Sequence, residues 1–219
     1  MTIIEILLLI CFFTNLGLGL LIFTRPSNYY KKINIIFSSL CLASALWVLG
    51  ALMVPIFIEV HWKLFWIRFI FGVSGFIPAI FLHFSLIFPN YQYTINLFRQ
   101  LLIYSPSLFF LIISQTEFIV ISIIQLEPLK FKYGLIHNIF SIYLVTYLCL
   151  GLLILLNTHR KSTGIYRLQI KYCFFGMLLS SITGLITNIL LPLLGTSKYS
   201  AIGPSFTMIM VGFTTYSIL

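Results

Sequence analysis

Aspartate is absent from the 219 residues, and glutamate occurs at four positions, Glu5, Glu59, Glu117 and Glu127. That removes most hydrolytic mechanisms. Intramembrane proteolysis would need paired aspartates, an HExxH zinc helix or a GxSG-like serine served by a histidine; none is identified, and no catalytic residue is assigned. A retinal Schiff base needs a lysine in the last helix, and residues 202–219 hold none. The four histidines, His61, His83, His137 and His159, are too scattered for a metal or haem site, so neither a metal nor another cofactor is expected. Cys11, Cys41, Cys149 and Cys173 sit inside apolar runs, where they read as small buried side chains rather than disulfide partners.

Charge is also scarce. Only 8% of residues are charged, against 60% hydrophobic and 17% aromatic, with a mean hydropathy of +1.09. These values lie far outside the soluble globular range and define an integral membrane protein. A net charge of +9 would suggest nucleic acid for a soluble domain, but here the basic residues gather at the ends of apolar runs, which excludes that partner.

Seven apolar runs are long enough to cross a bilayer: residues 3–23, 33–54, 63–89, 97–114, 138–156, 168–191 and 202–219. The expected fold is an all-α bundle of seven transmembrane helices. Between the fourth and fifth runs, Leu129, Phe131 and Tyr133 alternate with Lys130 and Lys132 behind a turn signal at Glu127-Pro128, which predicts a short extracellular β-hairpin. The competing reading takes Phe118 to Leu126 as more of the fourth helix or as an interfacial segment. Pro55 is expected to end the second span, Pro106 to kink the fourth, residues 157–164 to form a polar loop, and Tyr91 and Tyr93 to sit at an interface.

Basic residues set the orientation. Arg25, Lys31, Lys32, Arg99, Arg160, Lys161, Arg167 and Lys171 fall on one side and Lys63, Lys130, Lys132 and Lys198 on the other, eight against four. The N-terminus is then outside and the C-terminus cytoplasmic, in a multi-pass protein of the plasma (inner) membrane.

The third run carries most of the polar chemistry. Arg68 lies a turn and a half inside its outer end, where it either snorkels, pairs with Glu59 or anchors a ligand. A ligand cavity in the outer half, between the third, fifth and sixth spans and roofed by residues 118–133, would draw on Trp47, Trp62, Trp66, Arg68, Tyr133, His137 and Asn188. Gly176, Ser180, Gly184 and Asn188 recur every four residues, so the first three are expected to pack against another helix and relay movement. His83, near the cytoplasmic end, reads as a hydrogen bond between helices or a transmission residue.

HFSLIFP at His83–Pro89, RLQIKY at Arg167–Tyr172, and Gly203-Pro204 leading to a TTYSIL ending resemble the N-terminal seven-transmembrane sensor region of bacterial histidine kinases. The resemblance covers essentially the whole chain. It implies that residues 1–219 form one sensor domain, the N-terminal part of a longer chain whose last helix leads into a cytoplasmic histidine kinase output in cis. The partners it implies are membrane lipid, an unidentified small-molecule or peptide ligand, and a second copy of the parent protein. No phosphoacceptor or ATP-binding motif occurs in these residues, so no enzyme activity is expected of them. Alternative readings are the sensor of a diguanylate cyclase and a small transporter or channel.

Overall fold

In a computed structural model that describes residues 2–26, 31–89, 95–125, 129–194 and 199–219, helices account for the apolar runs and one hairpin for the alternating segment. α1 (Ile3–Thr24) starts from a capping box: the Glu5 amide donates to the Thr2 hydroxyl at 3.3 Å, and the Thr2 amide to the Glu5 carboxylate at 2.9 Å. α2 (Lys31–Ile56) carries Pro55 in its last turn, so the helix passes the expected stop by a residue.

The third span is two helices, α3 (Val60–Ser74) and α4 (Phe76–Ile87), meeting at Gly75. Pro78 causes the interruption, because it has no N–H for the Ser74 carbonyl. Gly75 keeps helical angles (φ −63°, ψ −25°), and its carbonyl accepts from the Tyr143 hydroxyl at 2.8 Å. Ser107 and Tyr143 approach to 2.8 Å; since Tyr143 spends its one proton on Gly75, Ser107 is the donor. Three spans are tied by two hydroxyls.

α5 (Leu97–Ser114) contains Pro106 without breaking, as the Ser105 hydroxyl donates at 3.3 Å to the Leu102 carbonyl that the proline leaves free. Two antiparallel strands follow, β1 (Val120–Gln125) and β2 (Lys130–Tyr133), pairing Val120 with Tyr133 and Ile123 with Phe131. The turn signal at Glu127-Pro128 and the residues Tyr91, Tyr93 and Lys198 lie outside the described residues.

α6 (His137–Lys161) runs through most of the expected polar loop, leaving Ser162 and Thr163 as the whole connection. The correction has a physical basis. His159, Arg160 and Lys161 in the last turn suit the negative end of the helix dipole, and the Ser162 hydroxyl donates to the Thr158 carbonyl at 2.8 Å. Gly164, with φ +59°, turns the chain into α7 (Gly164–Leu185). Its continuation is a π turn, Ile186–Leu190, and a short α8 (Leu191–Leu193), because Pro192 cannot donate to the Asn188 carbonyl. The last span is broken at Phe206 into α9 (Ile202–Ser205) and α10 (Thr207–Ile218).

Among the described residues six helices are long and apolar enough to span a membrane, with α3 and α4 read as one; the broken seventh falls short by length. α1, α2, α3/α4, α6, α7 and α10 close into a ring through successive contacts, and α5 packs on the outside of α3 and α4.

Candidate functional site

A cavity of about 820 Å³ occupies the outer half of that ring, meaning the half that carries the start of α1 and the hairpin. Each wall follows from helical spacing. Lys63, Ile67, Ile70, Phe71 and Ser74 form one face of α3, Phe131 and Tyr133 form the inward face of β2, and His137, Phe140, Ser141 and Leu144 form one face of α6. Trp47 comes from α2, Ser180 and Gly184 from α7, and Asn188 from the π turn. Phe81, Met177 and Met210 lie at the deep end, and α5 contributes no side chain.

Four of the seven residues expected at a ligand site therefore line one cavity: Trp47, Tyr133, His137 and Asn188. The other three face elsewhere. Trp62 and Trp66 stack with Phe57 at centroid separations of 5.9 and 6.2 Å on a different face of α3. Arg68 reaches the hairpin: Nε and Nη2 donate to the Val120 carbonyl at 3.1 and 2.9 Å, and Nη1 to the Gln115 carbonyl at 3.2 Å. It makes no pair with Glu59, whose carboxylate lies 3.5 Å from His61. A guanidinium forks across several carbonyls where an ammonium makes point contacts, so Arg68 fastens the cavity roof rather than facing its interior.

His137 is 3% exposed, its ring stacked on Tyr133 at 3.8 Å and edge-on to Phe71 at 5.6 Å. Its Nδ1 has no hydrogen-bond partner among the described residues. Asn188 donates from Nδ2 to the Thr187 hydroxyl at 2.9 Å, and the pair presses against α9: a Cβ at Gly203 would fall 2.4 Å from Thr187 Oγ1 and closer still to Asn188 Nδ2. Any larger residue there requires the Asn188 and Thr187 side chains to move.

The small-residue stripe divides. Gly176 packs on α10, where an added Cβ would lie 2.7 Å from that of Phe213, while Ser180 and Gly184 face the cavity, the latter 3.8 Å from Trp47 by the same measure. His83 is buried near the inner end, with Nδ1 at 3.0 Å from the Tyr104 hydroxyl of α5.

Several residues escaped the sequence reading. Gly72-Val73-Ser74-Gly75 does have the GxSG spelling. Ser74, however, gives its proton to the Phe71 carbonyl at 3.0 Å, and among the described residues no histidine hydrogen-bonds to it, so no nucleophile and base are paired. Lys63, which enters the charge balance of the loops, also lines the cavity, on the face that the spacing Lys63, Ile67, Phe71, Ser74 defines. Asn15 donates to the Thr207 hydroxyl at 2.8 Å, and Cys11 lies 3.3 Å from the same oxygen, joining α1 to the start of α10.

Residues 7–218 match a family model described as the N-terminal 7TM region of histidine kinase. No curated protein matches the chain.

Proposed function

From the premise that the chain belongs to the family of N-terminal seven-transmembrane regions of histidine kinases, we propose that its outer cavity receives the signal and that α9 and α10 carry it to a cytoplasmic kinase output in the same polypeptide. The matched region is the membrane sensor part of such proteins and not their catalytic part. The proposal places this multi-pass protein in the plasma membrane, with its N-terminus outside, as part of a parent that works as a homodimer.

The observation that supports the route is the contact between Asn188 and Gly203. Asn188 lines the cavity from a π turn and abuts the first turn of α9, so a ligand that shifts Asn188 must shift α9 or separate from it. From α9 the path continues through the Thr207 hydroxyl, which accepts from Asn15 and donates to the Pro204 carbonyl at 2.7 Å. Packing that exists in two arrangements can be biased by ~1–3 kcal/mol, or about 5- to 150-fold in output. Autophosphorylation of the parent protein in membrane vesicles tests this. Gly203→Ala, whose methyl displaces the Asn188 and Thr187 side chains, should change the basal rate at least about fivefold; an unchanged rate in correctly inserted protein removes the route.

A second reading, a small transporter, draws on the interruptions at Gly75, Ile186–Leu190 and Phe206 around one cavity. Solute flux into proteoliposomes that Gly184→Leu abolishes would favour it.

A further inference from the structure

We infer that the cavity takes a single-chain amphiphile with an anionic oxygen head, the head at Lys63 and the chain running inward past Phe71 toward Phe81 and Met177; this rests on reading the cavity as the signal-receiving site.

Shape comes first. On the third span the lining extends from Lys63 to Phe81, a helical rise of ~27 Å. A volume of about 820 Å³ along a lining that long describes an elongated cavity, the shape an extended chain would fill. It also falls in the range of sites that enclose a molecule of drug size.

Charge decides the head. Inside a bilayer the tail gains little by leaving lipid for an apolar pocket, since hydrocarbon is as apolar as the wall. Preference must come from the polar end. Among the described residues the lining holds two charged side chains, Glu5 and Lys63. Glu5 already receives the Thr2 amide at 2.9 Å and sits in the first turn of α1, where the helix dipole favours a carboxylate. Lys63 is half-buried and has no carboxylate within ion-pair distance among the described residues. Half-buried beside apolar walls, its ammonium attracts an anion more strongly than it would in bulk water. Phe131 and Tyr133 of the roof supply an apolar cover behind the head.

The chain has three tryptophans, and Trp47 is the one that lines the cavity. With Trp62→Phe and Trp66→Phe, Trp47 fluorescence in nanodiscs reports on brominated acyl probes directly. Dibromostearic acid and a brominated lysophosphatidic acid are compared with dibromostearyl alcohol, and brominated two-chain phospholipid measures quenching from the bulk lipid. The expected result is saturable quenching by at least one anionic probe at about a tenfold lower mole fraction than the alcohol, as a charge-assisted hydrogen bond gives. Whichever of carboxylate and phosphate is preferred identifies the source of the head. Lys63→Gln should erase the preference and Lys63→Arg should keep it, the latter guarding against a misfolded Gln variant. Equal quenching by acid, phosphate and alcohol would overturn the anionic head. Quenching by the three that never exceeds the bulk control would overturn the amphiphile altogether. Because binding is read on Trp47 and not on kinase output, either failure leaves the Asn188–Gly203 route standing, and failure of that route leaves the binding result intact.

Discussion

The inner and outer halves of the bundle are built from the same apolar residues and behave as opposites. The inner half is one contiguous core of Phe37, Leu40, Phe84, Leu155, Ile170 and Cys173, none of them exposed at all. Its helices approach closely, as at Gly19, where a Cβ would fall 2.8 Å from that of Cys41. The outer half holds smaller clusters around a cavity, interrupted helices and a hairpin. Dense packing has few alternative arrangements, whereas a cavity edged by a π turn and broken helices has several. The difference teaches where the fold can yield: the cavity half has room to rearrange, and the packed half can only move as a body.

The sharpest way to break this contrast is a matched pair of truncations. Phe84→Ala in the packed half should cost ~3–5 kcal/mol, whereas Phe131→Ala on the cavity wall should cost under about 1 kcal/mol because no new void is enclosed. Thermal unfolding in detergent micelles reads both, and equal losses would mean that the halves do not differ. A smaller effect is expected at the roof. Arg68→Gln replaces the charged fork by a neutral amide, a net loss of ~1.5–3 kcal/mol confined to the hairpin, so hydrogen exchange over 120–125 and 129–133 should accelerate while the core midpoint stays nearly fixed. Arg68→Lys should rescue it only in part, an ammonium being unable to fork across the Val120 and Gln115 carbonyls. The smallest effect belongs to Trp62→Phe, an exposed ring whose replacement should stay within about 0.5 kcal/mol by the same unfolding measurement.

Span positions were legible because length and hydropathy suffice to find them, and the hairpin because Leu129, Phe131 and Tyr133 alternate with lysines. Facing was not. A soluble helix announces its buried side by polarity, but here lipid and core are both apolar, so nothing in the composition of α3 shows that Ile67 and Phe71 turn inward while Trp66 turns away. Arg68 was visible as a charge in a span, yet its partners are carbonyls of a strand some fifty residues away, which only the fold brings near. The break at Phe206 was hidden for a different reason. Thr207 donates its hydroxyl proton to the Pro204 carbonyl, an oxygen a continuous helix would use, and such a competition between side chain and backbone depends on local geometry.

The two-residue link at Ser162-Thr163 makes α6 and α7 a pair of tongs with its pivot at the end of the bundle away from the cavity. α7 extends ~33 Å from that pivot before the π turn, so a tilt of about 5° displaces its far end by ~3 Å while leaving the near end almost still. A guest entering between the jaws therefore meets the compliant end of a lever. Gly176 lies midway along that arm, where α7 bears directly on Phe213 of α10, so a tilt of α7 would press there first.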